Sequence, residues 1–145
     1  MGDSEWVVKR PLPQILLLAK PGLLKTEADL LKLIGEAGYH LKQVDRLPDS
    51  LPDGKTILIA HVRSTLRDPR VNDISGYKEF LHSYARMRSK DWIRLLVIPV
   101  PVSEGFDMVG YGTLVDCYVS EASEPAELVS FLNLITERFD EPANY

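Results

Sequence analysis

Three short apolar runs divide the chain. Ile15 to Ala19, Thr56 to His61 and Ile93 to Val100 are nearly continuous stretches of aliphatic residues, closed by Pro21-Gly22 after the first and by Pro99 and Pro101 at the third. Runs of this length with no polar alternation predict strands buried on both faces. A fourth and a fifth strand complete the pattern, Tyr39 to Val44 ahead of Pro48 and Leu114 to Val119. Between them the periodicity changes to that of helices. Leu30, Leu31, Leu33 and Ile34 recur at helical spacing after Thr26, a residue suited to N-capping, and Gly38 supplies a stop. Tyr77, Phe80, Leu81, Tyr84 and Met87 mark one face of a helix that opens near Asp73 or Ser75 and ends near Lys90. Ser123-Glu124-Pro125 opens a last helix carrying Leu128, Phe131, Leu132, Ile135 and Phe139.

Two connections read differently. The segment with Pro48, Pro52 and Gly54 is a loop with no helical pattern, and Arg63 to Asn72 is a polar, arginine-rich stretch expected to form an exposed loop. Ser103 to Thr113 contains Gly105, Gly110 and Gly112, each of which weakens a helix by about 1 kcal/mol relative to alanine, so a loose turn or a short, mobile helix is expected there. Strands alternating with helices give a parallel sheet with right-handed crossovers and helices on both faces. The expected fold is therefore α/β and flavodoxin-like, with five parallel strands in the order 2-1-3-4-5 and the second helix lost or shortened. Ligands in such sheets sit at the carboxyl ends of the strands, which makes Lys20, His61 and Pro99 to Pro101 the rim on which a site would lie.

With 145 residues and 45% hydrophobic content, the chain is sized for one domain with a full core. The expected division is a flexible extension over residues 1–12, the domain over 13–139 and a tail over 140–145. A net charge of -4 provides no general attraction to nucleic acid or anionic lipid, and no basic recognition helix is visible. The N-terminal stretch lacks the apolar core of a signal peptide, and Ile15 to Ala19 is far shorter than the roughly 20 residues of a membrane span. A cytoplasmic protein without direct membrane or nucleic-acid contacts is the expectation. Cys117 is the single cysteine and reads as a small buried hydrophobe in a strand.

Several motifs together resemble the receiver domain of two-component response regulators. Ile15-Leu16-Leu17-Leu18-Ala19-Lys20-Pro21 is similar to that family's first strand, and Leu33-Ile34-Gly35-Glu36-Ala37-Gly38-Tyr39 to the end of its first helix. Asp116-Cys117-Tyr118-Val119-Ser120 followed by Glu124-Pro125-Ala126-Glu127-Leu128 looks like its last strand and helix. The resemblance spans Pro13 to Arg138, with Arg63 to Asn72 looking like an insertion. In the family, an acidic pair after the first strand and an aspartate after the third hold magnesium and accept a phosphoryl group. Hard cations of this kind require oxygen ligands, chiefly carboxylates and water. The matching positions here are Ala19, Lys20 and His61, while Pro99 stands in place of the hydroxyl residue and Glu121 in place of the lysine. The resemblance thus implies a pseudo-receiver that holds no metal or cofactor, is not an enzyme and regulates through a protein partner or a second copy.

Candidate contact residues follow from the same comparison. The family docks partners through its fourth helix, fifth strand and fifth helix, which the resemblance carries to Ser103 to Phe139 and to Phe106, Met108 and Tyr111 within it. Arg63, Arg67 and Arg70 form a second candidate patch, because the planar guanidinium matches carboxylates and phosphates. His61 has no Asp, Cys or second His at a motif spacing and reads as a structural histidine, as do His40 and His82. Lys20 is a candidate built-in cation near Asp45 or Asp116. An alternative reading is a domain similar to the Toll/interleukin-receptor type that binds NAD or nucleotides, for which Glu79 would be the glutamate required. The neighbours of Glu79 do not match that family's segment, and the chain has no glycine-rich phosphate loop.

Overall fold

The computed structural model describes residues 12–68, 70, 73, 75–88, 92–99, 114–120 and 123–139. Five parallel strands, β1 (Gln14–Leu18), β2 (Leu41–Val44), β3 (Thr56–His61), β4 (Ile93–Ile98) and β5 (Cys117–Tyr118), form one sheet in the order β2-β1-β3-β4-β5. Four helices are described: α1 (Glu27–Glu36), α2 (Val62–Thr65), α3 (Ser75–Met87) and α4 (Pro125–Glu137). This is the flavodoxin-like order read from the sequence. No helix among the described residues is long and apolar enough to cross a membrane.

The sheet is buried on both faces, which is why its central strands lack polar alternation. All six residues of β3 are buried. Ile15, Leu17, Ile57 and Ile59 face α1 and α4, meeting Leu30, Ile34, Leu128 and Leu132. Leu16, Leu18, Leu58 and Ala60 face the other way, against Tyr77, Phe80, Leu81 and Tyr84 of α3. The connection from β2 to β3 contains no helix. Leu47 and Leu51 of that loop pack on the α3 side of the sheet, so two leucines cover apolar surface that a helix would otherwise cover. The proline and glycine content that removed a helix from the sequence reading is the cause, since Pro48 and Pro52 lack amide donors and Gly54 takes φ 91°.

The helix boundaries follow local chemistry. α1 ends where Gly38 takes φ 92°, with its amide bonded to Gly35 O and the Tyr39 amide to Ile34 O. Pro125 sits in the first turn of α4, where its missing amide costs nothing. At the far end of α4, Phe139 is buried, its carbonyl accepts a 2.8 Å bond from Arg94 Nη2, and the Arg94 guanidinium lies 4.6 Å from its ring centre. Lys55 Nζ is 5.6 Å from the same ring.

Five expectations are corrected. Arg63 to Asn72 does not begin as an exposed loop: Val62–Thr65 forms α2, and Val62, Ser64 and Leu66 are buried. Those small and apolar residues are interleaved with arginines, which hid the turn in a polar average. Thr26 precedes α1, but its side chain makes no capping bond. β5 is two residues long rather than six, because Asp116 replaces a strand residue at its start: its amide bonds Leu95 O and its carboxylate accepts the Leu95 amide at 2.8 Å. Cys117 is accordingly half-buried at the sheet edge rather than enclosed, and burial, with the nearby Asp116 charge, pushes its thiol pKa up. The ends of β2 and β4 are also shorter than their apolar runs, at Leu41 and Ile98.

Candidate functional site

The carboxyl ends of β1 and β3 lie side by side, with Leu18 paired to Ala60. Ala19 and Lys20 continue from β1, His61 ends β3, and α2 begins at the next residue. One turn of α2 carries Ser64 back over His61, because residues three apart share a helix face. Ser64 Oγ lies 2.9 Å from His61 Nδ1 and accepts a bond of 2.9 Å from the Lys20 amide. Ala19 is fully buried, His61 is 1% exposed and Ser64 is 3% exposed. The position between β1 and β3 is thus filled by a hydroxyl that joins the two strand ends. If the hydroxyl donates to Nδ1, the imidazole carries its proton on Nε2; if Nδ1 donates, the serine oxygen accepts from both sides.

A serine beside a histidine suggests nucleophilic chemistry, which demands that a substrate reach the hydroxyl. At 1% and 3% exposure neither group is reachable, and the hydroxyl is already committed to a backbone amide. Among the described residues no group of three or more His, Cys, Asp or Glu side chains is placed to hold a metal ion. Pro99 follows Ile98, the ladder partner of His61, and is partly buried. Glu121 lies outside the described residues, as do Phe106, Met108 and Tyr111.

The structure therefore brings Ala19, Lys20 and His61 together through a residue that the sequence reading did not single out. Ser64 had one usable signal, its spacing of three from His61, but that spacing has meaning only once α2 is recognised. Two further residues escaped notice. Gln43 Nε2 donates to Ala19 O at 3.0 Å and to Glu27 Oε1 at 2.6 Å, while Glu27 Oε2 accepts from the Gly22 amide at 3.4 Å. These bonds tie the β1–α1 turn to β2. Beside them opens a cleft of about 660 Å³ lined by Ala19, Pro21, Val44, Arg46 and Pro48.

Two of the arginine candidates pair with acidic side chains. Arg67 pairs with Glu79, and Arg70 pairs with Asp68 through bonds of 3.0 Å from its amide and 3.2 Å from Nε. Those two bonds hold the Asp68 carboxyl below its ordinary pKa. Arg63 is half-buried on α2. Glu79, the residue on which the NAD-binding alternative depended, is on the exposed face of α3 with its carboxylate engaged by Arg67. His40 and His82 are exposed. Large apolar side chains do remain in solvent near the β5 edge and on α4: Tyr118 is 42%, Phe131 38% and Leu134 40% exposed.

No protein-family model matches the sequence, and no curated protein matches it. Solved structures do. The chain superposes on the regulatory domain of the master biofilm regulator CsgD with a TM-score of 0.59 at 16% identity, covering 86% of this chain and 87% of that one. It also superposes on full-length FixJ from B. japonicum, with a TM-score of 0.64 at 15% identity over 89% of this chain and 60% of that one. The chain thus spans about 60% of the length of FixJ. These likenesses establish that the chain has the receiver-like, flavodoxin-type fold.

Proposed function

We propose that this chain is a phosphorylation-independent pseudo-receiver, a regulatory module that acts through protein contacts and not as an enzyme. The observation that carries the reading is the closed junction Lys20–Ser64–His61. Metal-assisted phosphoryl transfer calls for clustered carboxylates that are open to solvent and a cation. Here the equivalent space holds a methyl group, a backbone amide, an imidazole and a hydroxyl, with the polar atoms paired to one another. Among the described residues, a switch driven by new charge at that point has neither a ligand set nor room. Regulation then rests on surface recognition, for which the exposed Tyr118, Phe131 and Leu134 offer apolar contact area to a protein partner or second copy.

The test is a titration of the chain with beryllofluoride in the presence and absence of magnesium, followed by calorimetry and by amide chemical shifts of Lys20 and His61. The expected result is no saturable magnesium-dependent binding and no shift at either residue. Saturable binding centred on those amides would overturn the reading.

A further inference from the structure

At the end of the sheet opposite Ser64, a groove of about 640 Å³ is lined by Leu51, Pro52, Met87, Trp92 and Ile93, with Asp53 among its lining residues. Trp92 is 51% exposed, the largest exposure among the big apolar side chains described. An adjoining cleft shares Asp49 and Met87 with the groove and adds Arg86 of α3. The lining thus runs from a cation, through apolar side chains around the indole, to the Asp53 carboxylate. A half-solvated indole among aliphatic side chains is the kind of surface that the apolar face of a helix covers.

α4 presents a face of matching chemistry. Glu127, Phe131, Leu134 and Arg138 follow one another at intervals of four, three and four residues. At 100° and 1.5 Å per residue they fall within about 60° of arc and form a stripe about 17 Å long. All four are exposed, Phe131 to 38% and Leu134 to 40%. The stripe reads acid, two apolar residues, cation, which is the charge complement of the groove. Among the described residues none of Arg86, Asp53, Glu127 and Arg138 forms an ion pair. The buried side of α4, with Leu128 and Leu132, packs on the α1 side of the sheet. The groove opens on the other side, where Leu51 packs and Met87 ends α3. Stripe and groove of one molecule are therefore separated by the sheet, and the two meet only between molecules.

We propose that the groove receives α4 of a second copy of this chain. Phe131 and Leu134 lie against Trp92, Met87 and Leu51, with Arg138 beside Asp53 and Glu127 beside Arg86. The contact is head-to-tail, so each copy keeps one unused half and assembly adds copies in line unless the rotation closes a ring. This inference rests on the reading that the chain works through protein contacts and names the occupant; nothing in it involves Lys20, Ser64 or His61.

Sedimentation velocity on the full chain tests it. A single helix in a groove buries an area at the low end of specific interfaces, so association with a Kd of about 10 to 500 µM is expected, with species larger than a dimer at the highest concentrations. Trp92→Ser disables the groove, and Phe131→Ser with Leu134→Ser disables the stripe. Each variant is expected to weaken association at least tenfold, to about that extent or more. Mixed together, the two variants retain one intact contact and are expected to form a 1:1 dimer that grows no further. Asp53→Arg and Arg138→Asp, both at exposed positions that leave the fold undisturbed, carry an independent arm: each alone weakens association, and the two combined in one chain restore it. A monomeric wild type, or a mixture of the two apolar variants that stays monomeric, would overturn the inference. So would association that survives Trp92→Ser but not the stripe variant, since α4 would then pair with α4, and so would a charge double variant that recovers nothing. Any of these leaves the pseudo-receiver reading to the beryllofluoride titration, which is scored separately.

Discussion

The two ends of β3 solve opposite problems. At its carboxyl end, His61 is enclosed, and Ser64 joins it to the Lys20 amide. At its amino end, Thr56 is equally buried and ladders to β4, but the neighbouring Trp92 stands half in solvent above a groove. The sheet is the same rigid element at both ends, so the difference comes from the connections. A short turn into α2 folds back and closes the first end. A helix-free loop with two prolines leaves the second end open. At the carboxyl edge, where this fold class places ligands, one serine closes the junction between β1 and β3, while accessible apolar surface lies at the other end.

The contrast breaks most severely if the strand linking the two ends is hollowed out. Ile59→Ala removes a fully buried side chain from the middle of β3 and is expected to cost about 2–5 kcal/mol, loosening both ends together. Urea unfolding followed by circular dichroism measures it. Gly76→Ala should act on the closed end only. A methyl group there would stand 2.4 Å from Thr65 O at the end of α2 and 3.0 Å from the Arg67 amide in the turn that follows, both backbone atoms. Alanine's better helix propensity offers about 1 kcal/mol, and overpacking of this kind costs about 1–3 kcal/mol, so net destabilisation is expected. Thermal melts and the amide shifts of Thr65 and Leu66 report it.

Ser64→Ala sharpens the comparison more finely. It leaves the Lys20 amide and His61 Nδ1 without the hydroxyl that they share and should cost about 1–3 kcal/mol, with Ser64→Thr recovering part of the loss. The smallest effect concerns Asp73, whose carboxylate accepts the Ser75 amide at the start of α3 at 3.0 Å. That bond holds its pKa below the ordinary value. Its contribution is therefore fully present above the unfolded carboxyl pKa, near about 3.9, and disappears as pH falls through the lower folded value. Asp73→Ala should flatten this part of the acid limb and leave neutral-pH melting almost unchanged, as pH-dependent melts would reveal.

Most of the architecture was legible in the sequence because the central strands announce themselves. Thr56 to His61 is a strand over the whole predicted span, and Pro125 and Gly38 mark helix ends through backbone chemistry that acts locally. What was not legible depends on contacts between distant residues. Asp116 delays the start of β5 by bonding Leu95, 21 positions away, and no local pattern encodes that substitution of a carboxylate for a strand residue. The candidate site divides in the same way. The absence of carboxylates at Ala19, Lys20 and His61 is visible in the residues themselves. The junction between them depends on Ser64 meeting Lys20 across 44 positions, a contact created by a four-residue helix in an arginine-rich stretch.

The anchorage of Phe139 has a mechanical meaning. Its carbonyl and ring are both gripped by Arg94, a residue of β4, so tension applied to the chain beyond this point enters an interior strand of the sheet before it can unwind α4. Load arriving there meets the parallel ladder of β3 and β4 along their length, a stiff element. α4 is thereby shielded from being peeled away turn by turn from its C-terminal end.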